Sequence, residues 1–321
     1  MAWTTTELLA DVRRSGMLPD SAPSGVSDTD ILAHANKELQ SRLLPLVMSV
    51  REEFYVQPYS TQLVANQQGY RIPSRSIGNK LRDVLLQLND SSLQNLARIA
   101  PEAYPEMMTT SPAVYPWAFF LESDSVMLVP TPSTTGAATL VLKYLLRPSW
   151  LVPVSATATP TVTTVQANTP SSGLTRVNHS ATGTDLGTST RLDIVMARPG
   201  FRTLAVSALP TASGNGYVVF NSSDLPTDFS TANSAGDYIS AAETTPVVQL
   251  PPELHNLLYQ RTLCRVLQSV GDLEALQAAE ANALQMEKDA VGIINNRVEG
   301  EAKKVVGRIM SRPRVRVGRW F

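Results

Sequence analysis

The chain has 321 residues, 43% of them hydrophobic, a formal charge of −1 and a single cysteine, Cys264. That length allows one large or two ordinary domains with a buried core, and one cysteine excludes an internal disulfide framework and a multi-cysteine metal site. The first 16 residues carry Glu7, Asp11, Arg13 and Arg14 with no signal-peptide core, and no apolar run approaches the roughly 18 residues of a membrane helix, so a soluble protein made in a cytosol is expected.

Taken in order, Thr4-Thr5-Thr6-Glu7 has the spacing of a capping box and predicts a short helix through Arg14, closed by Gly16 and Pro19. A Pro/Ser/Gly-rich loop follows. Ser27-Asp28-Thr29-Asp30 is a second cap signal and leads a long helix with Ile31, Ala35, Leu39, Leu43, Leu46, Val47, Val50 and Phe54 along one face. Pro45 lies inside it and predicts a kink or break near Leu44. From Phe54 to Leu88 the apolar period falls to two. Residues 62–65 and 70–73 flank the turn Asn66-Gln67-Gln68-Gly69 and read as a hairpin, and Leu81–Leu88 reads as another strand. One helix is expected within Ser91–Met108. Residues 117–121 and 126–129 flank Glu122-Ser123-Asp124-Ser125 as a second hairpin, and Ala138–Leu146 is a strongly β-prone run.

Composition changes at residue 151. Of the 96 residues 151–246, 29 are Ser or Thr and none is Lys. Short β-prone pieces at 192–196, 204–207 and 217–220 alternate with turns, including Gly214-Asn215-Gly216, which predicts an inserted sandwich or barrel. Helical spacing then resumes. Pro251-Pro252-Glu253 suits a first turn, and Leu254, Leu257, Leu258, Leu263, Val266, Leu267 and Val270 recur behind it. Gly271-Asp272 ends this helix. A second, alanine-rich helix runs from about Leu273 to Asn295-Asn296, with Ala275, Ala278, Ala279, Ala281, Ala283 and Ala290 allowing close backbone approach. The last stretch differs again. Residues 302–321 hold seven Lys or Arg and no acid. Subtracting that +7 from −1 leaves −8 for residues 1–301. Such a terminal block of one sign marks an interaction tail.

The expected fold class is therefore α+β, with a helical core (the long N-terminal helix plus the C-terminal helical hairpin), small antiparallel β hairpins and an inserted all-β domain. Three parts are expected: a core of helices and β hairpins at 1–150 and 246–300, the β insert at 151–245 and an extended basic arm at 301–321. Edges this sharp also predict that the insert is separable.

The order of these weak motifs carries a resemblance. A Thr-Glu-Leu-Leu helix precedes Ser27-Asp28, Ile31-Leu32 and Asn36; then come Gly69-Tyr70, Ile72-Pro73, Pro130, Pro132, Leu142, Tyr144 and Arg147-Pro148, and last Leu250-Pro251 with Glu253 opening a helix. This order resembles head-to-tail adaptor (connector) proteins of tailed bacteriophages, over about residues 4–150 and 246–296. The resemblance implies a structural subunit of a ring, commonly twelve-fold, placed at the head–tail interface of the virion. Its implied partners are further copies of itself, the portal above, a tail nozzle or tube protein below, and double-stranded DNA passing through the lumen without specific binding. It also implies terminal arms that hold the portal. It supplies no role for residues 151–245.

Catalytic signals are few. His34, His179 and His255 have no Cys, Asp or Glu at metal-ligand spacing, and they read as surface or packed histidines. Cys264 falls on the apolar side of its helix and reads as a packing residue. Asp28/Asp30 cap a helix, and Glu52-Glu53 end one. No nucleophile elbow, phosphate loop or dinucleotide fingerprint occurs, so neither an enzyme nor a cofactor is expected. On the second C-terminal helix Glu274, Glu280, Glu287 and Asp289 are candidates to line an acidic lumen, with a solvated helix face as the plainer reading.

The basic arm is the candidate site. Arg314-Val315-Arg316-Val317 alternates, with Arg312 and Arg319 on either side of it, and Trp320-Phe321 follow. Extended, this pattern puts arginines on one face and valines on the other. It suits strand addition with aromatic anchors on a portal or neighbouring subunit. Nucleic-acid binding comes second, and a solvated tail third, since exposed aromatics cost solubility. An alternative for the whole chain is a β-domain binding module for glycan or a host surface, on an oligomerising helical base.

Overall fold

The computed structural model of the chain describes residues 3–18, 26–103, 112–154, 161–167, 173–181, 185–198, 200–226 and 229–294. It opens with two capped helices. In α1 (Thr5–Ser15) the Thr4 hydroxyl accepts from the Glu7 N–H, and the Glu7 carboxylate accepts from the Thr4 N–H at 2.7 Å. Ser27 and Asp30 repeat the arrangement at α2 (Asp28–Glu38). The chain then departs from expectation. The long helix to Phe54 does not form: Leu39–Leu43 is π-helical, α3 spans only Leu44–Val50, and a 3₁₀ turn takes Glu52–Tyr55. Pro45 is the physical cause. It offers no N–H, and its ring collides with the carbonyl four residues back, so the preceding turn widens and the Leu44 N–H bonds to the Leu39 carbonyl instead.

Among the described residues nine strands follow: β1 (Val56–Gln62), β2 (Gly69–Arg71), β3 (Ser76–Leu88), β4 (Leu93–Asn95), β5 (Ala97–Arg98), β6 (Ala118–Glu122), β7 (Ser125–Val129), β8 (Ala138–Leu146) and β9 (Trp150–Leu151). Two four-stranded sheets result, in the orders β1-β8-β3-β4 and β2-β7-β6-β5. Between them lies a core that includes Leu63, Tyr70, Ile72, Leu86, Leu128, Leu140 and Leu142. The β6–β7 hairpin and β8 lie where their patterns put them. The hairpin across 62–73 does not form. Strand β8 is apolar on both faces and takes β1 on one edge and β3 on the other, with Thr61 opposite Leu140 and Leu86 opposite the same residue. Nor does an α-helix form over the described part of 91–108, which holds a three-residue 3₁₀ turn at Pro101–Ala103. Ser91 has a positive φ of 66°, and the Asp90 carboxylate accepts from the Ser92 N–H, which turns Leu93–Asn95 back onto β3.

The insert contains β10 (Val162–Ala167), β11 (Leu174–His179), β12 (Leu192–Val195), β13 (Thr203–Ala208), β14 (Ala212–Gly214), β15 (Tyr217–Asn221), the four-residue α4 (Phe229–Ala232), β16 (Tyr238–Ala241) and β17 (Thr244–Thr245). Sheets β10-β11-β15-β14 and β13-β12-β16 share one apolar layer, with Val162, Val177, Val218 and Phe220 from the first and Leu192, Ile194, Leu204 and Ile239 from the second. That is a small sandwich. Its entry and exit are zipped together by the parallel pairing of β9 with β17.

Buried polar side chains join this sandwich to the body. Arg75, just before β3, donates to Asp193 of β12 at 2.5 Å and to Ser149 at 2.8 Å. The Asp193 carboxylate is 0% exposed and also accepts the N–H groups of Ser207 and Glu243. Burial pushes this carboxyl above its ordinary range, against the pull of Arg75 and the two amides. Gln249 accepts from the Ser149 N–H and donates to the Thr203 hydroxyl, while Gln57 donates to the Thr203 carbonyl. Asn36 of α2 pairs with both the N–H and the carbonyl of Leu151.

Two helices close the described chain. A 3₁₀ turn at Pro252–Leu254 leads into α5 (His255–Val270), which Gly271 ends in the left-handed conformation at φ 85°; α6 (Leu273–Ile294) follows. His255 stacks on Trp3 at 4.8 Å and lies 5.6 Å from the Phe201 ring, so N-terminus, insert and α5 meet there. The fold is thus mixed α and β, with about as many residues in strands as in helices. The expected helical core built on one long N-terminal helix is not what the chain forms: among the described residues the buried apolar side chains divide into separate cores, the largest among the helices and others between the body sheets and inside the insert.

Removing one partner of a buried ion pair leaves the other charge uncompensated. Arg75→Met is expected to cost about 3–5 kcal/mol in urea unfolding. Arg75→Met with Asp193→Asn is expected to cost less, because no uncompensated charge stays buried, although the single amide oxygen of Asn replaces only one of the two carboxylate oxygens that accept from Ser207 and Glu243. A loss below about 1 kcal/mol for the single change, the range of exposed pairs, contradicts the account.

Candidate functional site

The residues singled out from sequence, Arg312, Arg314, Arg316, Arg319, Trp320 and Phe321, lie outside the described residues, as does all of 301–321. What is on view is the base from which that segment leaves. Helix α5 is buried on more than one face. Leu254, Leu257, Leu258 and Val266 join the core of α1 and α2, while Leu263, Cys264 and Leu267 meet Ala279 and Ala283 of α6. The alanines let α6 approach closely enough for the Gln260 amide to donate to the Ala279 carbonyl at 3.1 Å. Arg261 and Glu287 pair across the same contact. Farther along, Ala290 and Ile294 enter the main helical core.

This seat leaves much of α6 uncovered. Leu273, Leu284 and Val291 are 69%, 53% and 43% exposed. With Glu280 they follow one another at spacings of seven, four and seven residues, which is one stripe of an α-helix. Met286 and Ile293 flank the buried face on its other side and are exposed too. Of the acids considered for a lumen, Glu274, Glu280 and Asp289 are exposed, whereas Glu287 is engaged by Arg261. Lys288 is the one cation on this helix.

A second charged surface lies where α2 meets α5. Glu38 is buried, receives the Arg265 Nε at 2.6 Å, and has Arg42 at 3.7 Å from its other oxygen. Lys37 is exposed beside them. Arg42 and Arg265 keep nearly half of their side-chain surface in solvent. Arg42 and Arg265 therefore flank one buried acid, and Lys37 and Arg265 both lie close enough to act on His34. Burial lowers the His34 pKa, and Lys37 and Arg265 lower it further against Asp30 and Glu38, in keeping with a cationic surface. Sequence reading missed this strip because Glu38 and Arg265 are 227 residues apart.

The other candidates resolve into structure. Cys264 is buried and its thiol is pushed up by burial, the direction that suppresses thiolate chemistry. Burial lowers His255, although its contact with the Leu250 carbonyl and the nearby Glu253 and Glu7 pull the other way. His179 is buried in the insert, and burial lowers its pKa too. Asp28 pairs with Arg13, Asp30 caps α2, and Glu52 and Glu53 pair with Lys80 and Arg51. Among the described residues no group of three or more His, Cys, Asp and Glu is placed to hold a metal ion, and no helix is long and apolar enough to cross a membrane. A cleft of about 280 Å³ opens at the seam of body and insert, lined by Arg51, Phe54, Phe201 and Arg202 among others. Its polar floor, Gln57 and Gln249, is already bonded to Thr203. The chain matches no protein-family model, and no curated protein sequence matches it either.

The close α5–α6 contact is testable. Ala283 is fully buried, so Ala283→Leu forces the helices apart and is expected to cost about 1–3 kcal/mol in thermal or urea unfolding. The same change at exposed Ala281 is expected to be nearly neutral, and equal costs at both positions contradict the seat described.

Proposed function

We propose that the chain is a structural, non-catalytic subunit of a ring that joins the portal of a tailed-phage head to the tail and continues the DNA channel. One observation carries the reading. The α5–α6 hairpin is seated in the body by some of its faces, leaves a stripe of aliphatic and acidic side chains uncovered, and leads within eight residues into a segment of seven cations and no acid. A body of charge −8 tolerates passing DNA without holding it. The cationic arm grips the portal. A single arm binds weakly, but a ring of arms gains avidity, because each contact raises the effective concentration of the next. The subunit acts at the head–tail interface of the virion. Its partners are copies of itself in a ring, commonly of twelve, the portal above and a tail nozzle or tube protein below.

Attachment to portal-bearing heads tests this. Deleting Arg312–Phe321 is expected to leave a folded protein that no longer attaches. Replacing Arg312, Arg314, Arg316 and Arg319 with Gln is expected to weaken attachment and flatten its salt dependence, since exposed charges are screened. Wild-type occupancy by the deleted protein means the arm is not what holds the portal. Assembly with leakage of DNA means the arm faces the channel.

A further inference from the structure

We propose that the uncovered stripe of α6, Leu273, Glu280, Leu284 and Val291, is a self-association surface that packs against the basic strip Lys37, Arg42 and Arg265 of a second copy. The inference rests on the ring reading for the closure of the assembly, but the contact itself is argued from the two surfaces. A helix face meant for solvent carries polar groups at the positions that these three aliphatic side chains hold. Leu273 and Leu284 keep more than half of their surface in water, and a row of such residues rimmed by polar ones marks an interaction site. Charge selects the occupant. Four acids, Glu287 among them already paired with Arg261, and one lysine lie on α6, whereas the α2–α5 strip has Arg42 and Arg265 on one buried acid and the exposed Lys37 acting with Arg265 on His34.

Self-pairing of two α6 stripes is disfavoured by the same charges, because it sets Glu280 of one copy beside the acids of the other, and like charges at such a contact repel. The two complementary surfaces lie on different elements of one chain, so the contact is heterologous. Each copy offers α6 to one neighbour and the α2–α5 strip to the other, the geometry that closes rings. The stems of Lys37 and Arg42 add apolar length beside Leu284 and Val291 while their charged heads meet Glu280.

Sedimentation velocity of the full chain, at graded concentrations up to the millimolar range and at two ionic strengths, tests the contact without heads. The wild type is expected to associate in a concentration-dependent way that weakens with salt. Leu284→Glu is expected to weaken association by about tenfold or more, with circular dichroism unchanged because Leu284 is exposed. Lys37→Glu is expected to weaken it as well, and Lys37→Glu combined with Glu280→Lys to restore it. Three results overturn the proposal: a wild type that sediments as a monomer throughout, a charge exchange that fails to restore association, or loss of association on deleting Ala302–Phe321, which makes the basic arm the occupant. If variants at Leu284 and Lys37 still fill heads as the wild type does, the ring reading stands and this surface falls.

Discussion

The position of the insert depends on one carboxylate. Asp193 has no exposed surface, and a buried charge is tolerated only where partners replace its water. Those partners come from three places: the Arg75 guanidinium from the body, the Ser207 amide from the neighbouring strand and the Glu243 amide from the turn that leads out of the insert. The same guanidinium reaches Ser149 at the way in. Entry, exit and body are thereby tied to one atom group, and Gln249 repeats the pattern a few residues on. An insert held like this is oriented by the body rather than tethered to it, which bears on the expectation that it can be cut out. Removing it also takes Asp193 from Arg75, and Thr203 from Gln57 and Gln249.

Local signals were the legible part of the fold. Both capping boxes, the β6–β7 hairpin, β8, the β-rich insert and the two C-terminal helices follow from residues within a few positions of one another. Pairings between distant segments were not legible. Nothing near β1 says that its partner is β8 rather than the strand across the next turn, because two strand-like runs around Asn66-Gln67-Gln68-Gly69 make the same local pattern either way. The disturbance at Pro45 could be read, but not its form, a π turn over Leu39–Leu43 that shortens the α-helical segments on either side. Arg75 and Asp193 lie 118 residues apart, and each looks like any surface charge in the sequence.

The candidate site divides similarly. The basic arm declares itself by composition, and its own structure lies outside the described residues. On α6 the apolar arc is wider than α5 can cover, and periodicity alone does not say which part stays outside. Only the seat of Ala279, Ala283, Ala290 and Ile294 decides that Leu273, Leu284 and Val291 face solvent. The labour then divides by element. The body sheets and the insert form the frame, α5 lies between the helical core and α6, and one stripe of α6 stays exposed.

A density map of the head–tail vertex of the particle that carries this chain tests the central claim most directly. The expected result is a closed ring of this chain between portal and tail, with Leu284 of each copy against Lys37 of the next and the chain beyond Ile294 running to the portal. A vertex without the chain, or the chain found on the particle surface with its insert facing outward and no contact with the portal, contradicts it.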